Sequence, residues 1–351
     1  MKPNNLYDSC YLFLSTIIIC TLCILNFGCN NQVKISEEPE STSSEKQLSS
    51  PVNQVSDEIF QTEIKATKPW KIAYILKTIP EEPYWKDVKE GAEKAAQNFN
   101  IDITIINSEK PQTSEFVEDQ IILVANLIKT EEIDGIIIGS SDSIRLVPAV
   151  EKAINSGIPV IAMDTPLNSD QILTFVGFDN FSGGKSMGEW VVKNLGGKGT
   201  VAILDGAPNH DNAIQRRRGF MAGLKTGDMK VIAIESANWE QSKAQEIATN
   251  FFKKFENIDA IIAANDSMAL GASQAVENTQ YPPIIITGFD GLENGLQAIK
   301  QGKITATINQ VPKQQARLAI QLMIRHLENG ETFPNVILLP NTEVITSENF
   351  D

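Results

Sequence analysis

Residues 260 to 272 read AIIAANDSMALGA: an aliphatic run, Ala260 to Ala263, is followed at once by Asn265 and Asp266, where a helix begins. A strand without polar alternation is apolar on both faces, and parallel sheets covered on both sides need such strands. The same unit recurs outward along the chain. Strand candidates are Lys71 to Leu76, Ile101 to Ile106, Gly135 to Ile138, Pro159 to Ala162, Leu173 to Val176, Thr200 to Leu204, Val231 to Ile234, Ala260 to Ala263, Ile284 to Thr287 and Ile304 to Ile308. Between most of them the apolar positions recur every three or four residues, as in Trp85, Val88, Ala92 and Ala95, or Ala316, Ala319, Ile320 and Met323. This alternation predicts an α/β architecture. One sheet would be overcrowded, whereas two doubly wound sheets fit the length from Trp70 onward.

In such sheets ligands bind outside the carboxyl ends of the strands, so polar residues just past a strand are the first to question. The sequence supplies Asp164 after VIAM, Asp205 after AIL, Asn265 and Asp266 after IIAA, and Asp290 after IITGF. A helix N-cap or Asx turn is the competing account of each.

The chain has 351 residues, with 30 Lys and Arg against 44 Asp and Glu, a formal charge of -14 that argues against gripping a nucleic-acid backbone. Its four cysteines, Cys10, Cys20, Cys23 and Cys29, all lie near the amino terminus, so the body carries no disulfide, thiolate metal site or cysteine nucleophile. No charge interrupts Ser9 to Val33, and the apolar centre Tyr11 to Leu25 suits a signal h-region better than a membrane span. The following LNFGC, ending at Cys29, resembles a bacterial lipoprotein signal, with Leu25 four residues before the cysteine instead of three and Asn26 in the expected place. Lipidation at Cys29, an uncleaved anchor and a plain signal peptide all stay open. The first two place the body outside the cytoplasm on a tether. Residues 30 to 68, with seven Ser, six Glu and two Pro, read as that tether, since their sparse apolar surface does not offset the entropy of ordering them. A short amphipathic element at Asp57 to Ile64 is the alternative.

From Lys71 to about Thr346 the sequence resembles the periplasmic sugar-binding proteins of the ribose type. The matching stretches are EPYW (82 to 85), KEGA (89 to 92), GIPVIAMD (157 to 164), FDNFSGG (178 to 184), RRGF (217 to 220), ANDSMALGA (264 to 272) and GFDG (288 to 291). The resemblance implies a type I periplasmic binding fold: two doubly wound parallel-sheet lobes joined by a three-crossover hinge, with a sugar held in the cleft and no reaction performed on it. The lobes would be residues 70–178 with 311–338, and 179–310 with 339–351, after a signal segment at 1–29 and a linker at 30–69. It implies Tyr84 and Trp85 as first-lobe plates for the sugar, Asp164 as an acceptor for its hydroxyls, Trp239 as the second-lobe aromatic, and Asn265, Asp290 and Gln310 as second-lobe and hinge polar groups. The chemistry is coherent, because aromatic plates suit the C–H faces of a sugar ring while Asp, Asn and Gln suit its rim. For Tyr84 and Trp85 the competing reading is a pair packed on the core behind Pro83, and for Trp239 a surface or staple residue.

Three positions depart from the family pattern: Glu82 stands in place of an Asn, Thr165 in place of an Arg, and Ile214 in place of an Arg. Two guanidiniums are thereby expected to be missing. Arg216 is expected as a salt-bridging residue, with Asn212 or His210 reaching the cleft instead. A ligand with fewer hydroxyls, with an apolar substituent, or with a cationic group answering to Asp164, Asp290 and Glu82 stays open. No cofactor, metal or nucleic acid is expected. The implied partners are a monosaccharide, an importer permease and, through Cys29, the membrane; the protein itself is expected to be a monomer. A tethered sensor module is the alternative within ligand binding. An enzyme finds little support: His326 sits in a helical run, and His210, which could pair with Asp205 or Asp211, has no nucleophile elbow beside it. The turn FSGGKS (181 to 186) lacks phosphate-loop spacing, and Gly183 and Gly184 read as sites of close helix packing.

Overall fold

The computed structural model describes residues 53–54, 64–77, 82–107, 115–130, 132–208, 210–339 and 343–349. Cys29 and the expected signal segment lie outside the described residues. In the amino-terminal part, strands β1 (Asn53–Gln54), β2 (Lys71–Ile75), β3 (Asp102–Ile106), β4 (Gly135–Ile138), β5 (Val160–Met163) and β6 (Thr174–Phe178) accompany helices α1 (Pro83–Phe99), α2 (Glu115–Thr130) and α3 (Val147–Asn155). Then come α4 (Asn180–Asn194), β7 (Lys198–Asp205), α5 (Asp211–Leu224), β8 (Asp228–Ser236), α6 (Gln241–Lys254), β9 (Ala260–Ala263), α7 (Asp266–Thr279), β10 (Ile285–Thr287), α8 (Glu293–Lys300) and β11 (Ala306–Ile308). The chain ends on α9 (Pro312–Asn329), β12 (Val336–Leu339) and β13 (Val344–Thr346).

These strands form two sheets, ordered β1-β12-β6-β5-β4-β2-β3 and β13-β11-β10-β9-β7-β8. Every pair is parallel except β13, which runs antiparallel to β11. The central strands β4, β5 and β9 are buried at every position, as two-sided coverage by helices requires. The chain passes from the first sheet to the second after β6, returns after β11, and passes over again between β12 and β13. The architecture is therefore that of two parallel-sheet lobes flanked by helices, a type I periplasmic binding fold.

Close helix contacts fix the elements that carry the cleft. A Cβ on Gly91 of α1 would lie 2.6 Å from the Lys313 Cα of α9, and one on Gly184 of α4 would lie 2.5 Å from the Arg216 carbonyl oxygen of α5. Gly184 thus serves helix packing, as expected, whereas Gly183 makes room for the Phe178 and Phe289 rings, where an added Cβ would come within 2.9 Å of each; the α4–α5 approach sets the position of Arg216.

Parts of the stretch expected to be a linker are docked on the first lobe. Asn53–Gln54 pairs in parallel with Ile337–Leu338 of β12. Ala66 N donates to the Phe99 carbonyl at 3.0 Å, and Glu328 accepts from Thr67 N at 2.7 Å and from Trp70 Nε1 at 2.6 Å. Composition did not foretell this order, because backbone pairing at a sheet edge and a carboxylate collecting donors need no apolar side chains.

Candidate functional site

The carboxyl ends of the strands in both lobes converge on one cavity. It is lined by Lys77, Glu82, Tyr84, Trp85, Asp164, Asn212, Arg216, Trp239, Asn265, Asp290 and Gln310. All nine candidates from the sequence are therefore brought together. Lys77 and Arg216 are added, and Asp205 and His210 are not among the lining residues.

From the first lobe, Glu82 is the N-cap of α1, its carboxylate accepting from Trp85 N at 3.2 Å. Pro83 at the first helical position has no N–H to satisfy, so the cap and the proline together aim Tyr84 and Trp85. These two rings meet edge to face at 5.4 Å and are 6% and 4% exposed, so they pack on the core and line the cavity at once. The Trp85 indole lies over Gly139, just past β4, where an added Cβ would come within 2.3 Å of Cη2. Asp164, just past β5, has φ 66°. Its Oδ2 accepts from Thr165 Oγ1 at 2.9 Å and faces Lys77 Nζ at 3.5 Å, while Lys77 donates to Thr165 Oγ1 at 2.7 Å.

From the second lobe, Arg216 donates through Nε to Asn180 Oδ1 at 2.8 Å and through Nη1 to the Ala264 carbonyl at 2.6 Å and to Asp290 Oδ1 at 3.2 Å. Its guanidinium covers the Phe289 ring at 4.1 Å and approaches Trp239 at 5.4 Å. Gln310 Nε2 donates to the same Asp290 oxygen, and its carbonyl is held by Gln315 Nε2 at 2.8 Å. Asn265 caps α7, its Oδ1 accepting from Met268 N at 2.8 Å and its Nδ2 reaching the Trp239 carbonyl at 3.4 Å. It therefore lines the cavity as a cap whose amide is already engaged. Trp239 lies on Gly206, just past β7, and donates through Nε1 to His210 Nδ1 at 2.9 Å. His210 thus orients an aromatic plate instead of pairing with Asp205 or Asp211. Asp205 holds Arg217 at 2.7 Å, and Asp266 accepts from Thr307 Oγ1 at 2.6 Å and Leu292 N at 2.9 Å, pinning the loop that carries Asp290.

Backbone strain gathers at the same place. Asp164, Asn238, Trp239, Asp290 and Val311 all have positive φ, a conformation that costs about 1 to 3 kcal/mol each away from glycine. Burial pushes Glu82 up to about 7, despite the backbone N–H groups of Trp85 and Tyr84 that favour its charged form. Burial also lowers Lys77 and raises Asp290, opposed by Asp164 in the first case and Arg216 in the second. Two buried polar atoms in the cavity, Tyr84 Oη and Asn212 Oδ1, make no hydrogen bond.

The expectation that fixed donors are missing is corrected by this geometry. Arg216, bonded to its own lobe's Asp290, supplies a guanidinium, and Lys77 supplies an ammonium beside Thr165, where the family pattern has arginine. Lys77 carries the strand-end signal, being two residues past β2, but a lysine there reads equally as a solvated side chain. Among the described residues no cluster of acidic, histidine or cysteine groups could hold a metal ion.

Residues 72–332 match the family model described as Periplasmic binding protein domain. The chain is 30% identical over 272 residues to the D-allose-binding periplasmic protein of Escherichia coli, covering 75% of this chain and 86% of that one. It is 32% identical over 267 residues to a xylitol-binding protein of Mycolicibacterium smegmatis, covering 75% and 74%. A solved ABC transporter periplasmic solute-binding protein of Actinobacillus succinogenes with bound D-allose superposes with a TM-score of 0.74 at 36% identity, covering 80% of this chain and 98% of that one. The chain belongs to the periplasmic binding proteins, in the family of the ribose- and allose-binding proteins, and is an extracytoplasmic solute-binding protein.

Proposed function

We propose that the protein captures a monosaccharide or sugar-like polyol between its lobes and presents the closed form to the importer's permease. The observation that carries this reading is the pair of unpartnered buried atoms, Tyr84 Oη and Asn212 Oδ1, in a cavity walled by Trp85 and Trp239. A buried polar atom without a partner costs about 1 to 3 kcal/mol, which ligand hydroxyls would recover. Glu82, Tyr84, Trp85, Asp164, Asn212, Trp239, Asn265, Asp290 and Gln310 form the site, with Lys77 and Arg216. The lobes divide at residues 178, 310 and 338, so a ligand touching Trp85 and Trp239 bridges both and favours closure. The protein works as a monomer, tethered through a lipidated Cys29.

Calorimetric titration with D-allose, D-ribose, xylitol and myo-inositol tests the site. At least one should bind with a micromolar or tighter constant, with a fall in the scattering radius of gyration. Tight binding with an unchanged radius would remove the closure step, and failure of the whole panel would remove neutral sugars and polyols as ligands. For the tether, Cys29→Ser should leave unprocessed precursor, and a mature terminus free of lipid would refute it.

A further inference from the structure

The charges lining the cavity do not balance. Its carboxylates are Glu82, Asp164 and Asp290, and its cations are Lys77 and Arg216. Each cation already has an aspartate: Lys77 faces Asp164 at 3.5 Å, and Arg216 meets Asp290 at 3.2 Å. Glu82 is the carboxylate left over. Its hydrogen bonds come from the backbone at the start of α1, and Lys77, whose charge favours its ionised form from a distance, is paired with Asp164. His210, which neighbours the cavity through Trp239, brings no charge, since burial and the Lys77 charge lower it to about 2. The α1 terminus supplies a partial positive charge at most, and burial still drives Glu82 up to about 7. Glu82 is half-buried, and holding a carboxylate there without a counter-charge is unfavourable unless it takes a proton or meets a cation.

Other features of the cavity point the same way. Asn212 Oδ1 is a buried acceptor without a donor. The indole faces of Trp85 and Trp239 attract positive charge. We infer that the ligand of this cleft is cationic, an aminodeoxy sugar or amino polyol whose ammonium group sits at Glu82. This rests on the sugar-cleft reading above and narrows it: the ring faces and hydroxyls are served by the aromatic and Asp–cation groups, and the ammonium supplies the charge the lining lacks.

The test uses matched pairs that differ by one amino group: 2-amino-2-deoxy-D-allose with D-allose, 2-amino-2-deoxy-D-glucose with D-glucose, and 1-amino-1-deoxy-D-ribitol with ribitol. Each is titrated calorimetrically into the intact protein at pH 7. At least one amine should bind tenfold or more tightly than its hydroxyl parent. Glu82→Gln, which keeps an acceptor for Trp85 N, should erase that advantage, so that the amine and its hydroxyl parent bind the variant within threefold of one another. Glu82→Asn, another good cap, should behave alike, and melting temperatures within a few degrees of wild type show that both variants fold. The inference is overturned if every parent binds as tightly as its amine, if no amine binds, or if the advantage survives both substitutions. A neutral sugar that binds as tightly as its amine in all three proteins overturns the ammonium assignment and leaves the sugar cleft standing, whereas silence from every neutral and amine probe removes both.

Discussion

Both lobes bring an indole seated on a glycine and a buried ion pair to the cleft, but they hold them in different ways. In the first lobe Trp85 stands on a capped helix within the core and its indole rests on Gly139, while Lys77 and Asp164 share Thr165. In the second, Trp239 stands on a turn with φ 71°, half-buried, its indole on Gly206 and its Nε1 tied to His210. Arg216 and Asp290 there sit in a dense network with Asn180, Ala264 and Gln310. The first lobe positions its plate by packing and the second by hydrogen bonds. The ion pairs differ as well, because a buried lysine can shed its proton and an arginine cannot.

That difference gives the largest effect. Asp290→Ala leaves the Arg216 guanidinium buried and unpaired and should cost about 3 to 5 kcal/mol of stability. Asp164→Ala leaves Lys77, already lowered by burial, free to become neutral beside Thr165, and should cost only about 1 to 2 kcal/mol. Urea unfolding of the two variants measures the gap. Equal losses would show that the two pairs are energetically alike.

The sequence made much of this legible, for reasons that particular residues show. All ten strand candidates are strands, within three residues at either end, because runs such as GIII and AIIA are buried on both sides and cannot be mistaken for amphipathic helix. The strands not foreseen, β1, β12 and β13, are short and at or near sheet edges, and Asn53–Gln54 lies in a stretch with no apolar pattern. The nine candidate residues converge because strand-end position is a topological fact of this fold. Arg216 and His210 were legible as residues but not as partners. What Arg216 meets depends on the α4–α5 approach at Gly184, and what His210 meets depends on a left-handed turn at Asn238 and Trp239, and neither is written in local pattern.

A smaller effect tests how the plates are held. Gly139→Ala would put a Cβ within 2.3 Å of the Trp85 indole, and Gly206→Ala one within 2.2 Å of Trp239. Trp85 is locked in the core and cannot yield, so Gly139→Ala should cost about 1 to 3 kcal/mol of stability. Trp239 can swing on its turn, so Gly206→Ala should cost under about 1 kcal/mol while shifting the tryptophan fluorescence and weakening ligand binding. Thermal melts with fluorescence spectra separate the two, and a large stability loss at Gly206 would mean that the second plate is packed as firmly as the first.

The smallest effect is in the response to pH, where the lobes pull in opposite directions. Glu82 is raised to about 7 by burial, so its folded form holds a proton that the unfolded chain has released above its ordinary value near 4.5. The stability this contributes is complete below about 4.5 and is lost as pH rises through 7. His210 is lowered to about 2, so the folded protein keeps it neutral where the unfolded chain would protonate it. Its contribution is complete above about 6.5 and is lost as pH falls through the acid range. Between about pH 5 and 6.5 the two slopes oppose, each at most about 1.4 kcal/mol per pH unit. Removing one should expose the other. Relative to wild type without ligand, Glu82→Gln should gain stability as pH rises across this window, and His210→Gln should lose it. Urea midpoints measured at pH 5.0, 5.75 and 6.5 give both differences, and slopes of the same sign in the two variants would show that at least one of these groups is not enclosed in the ligand-free protein.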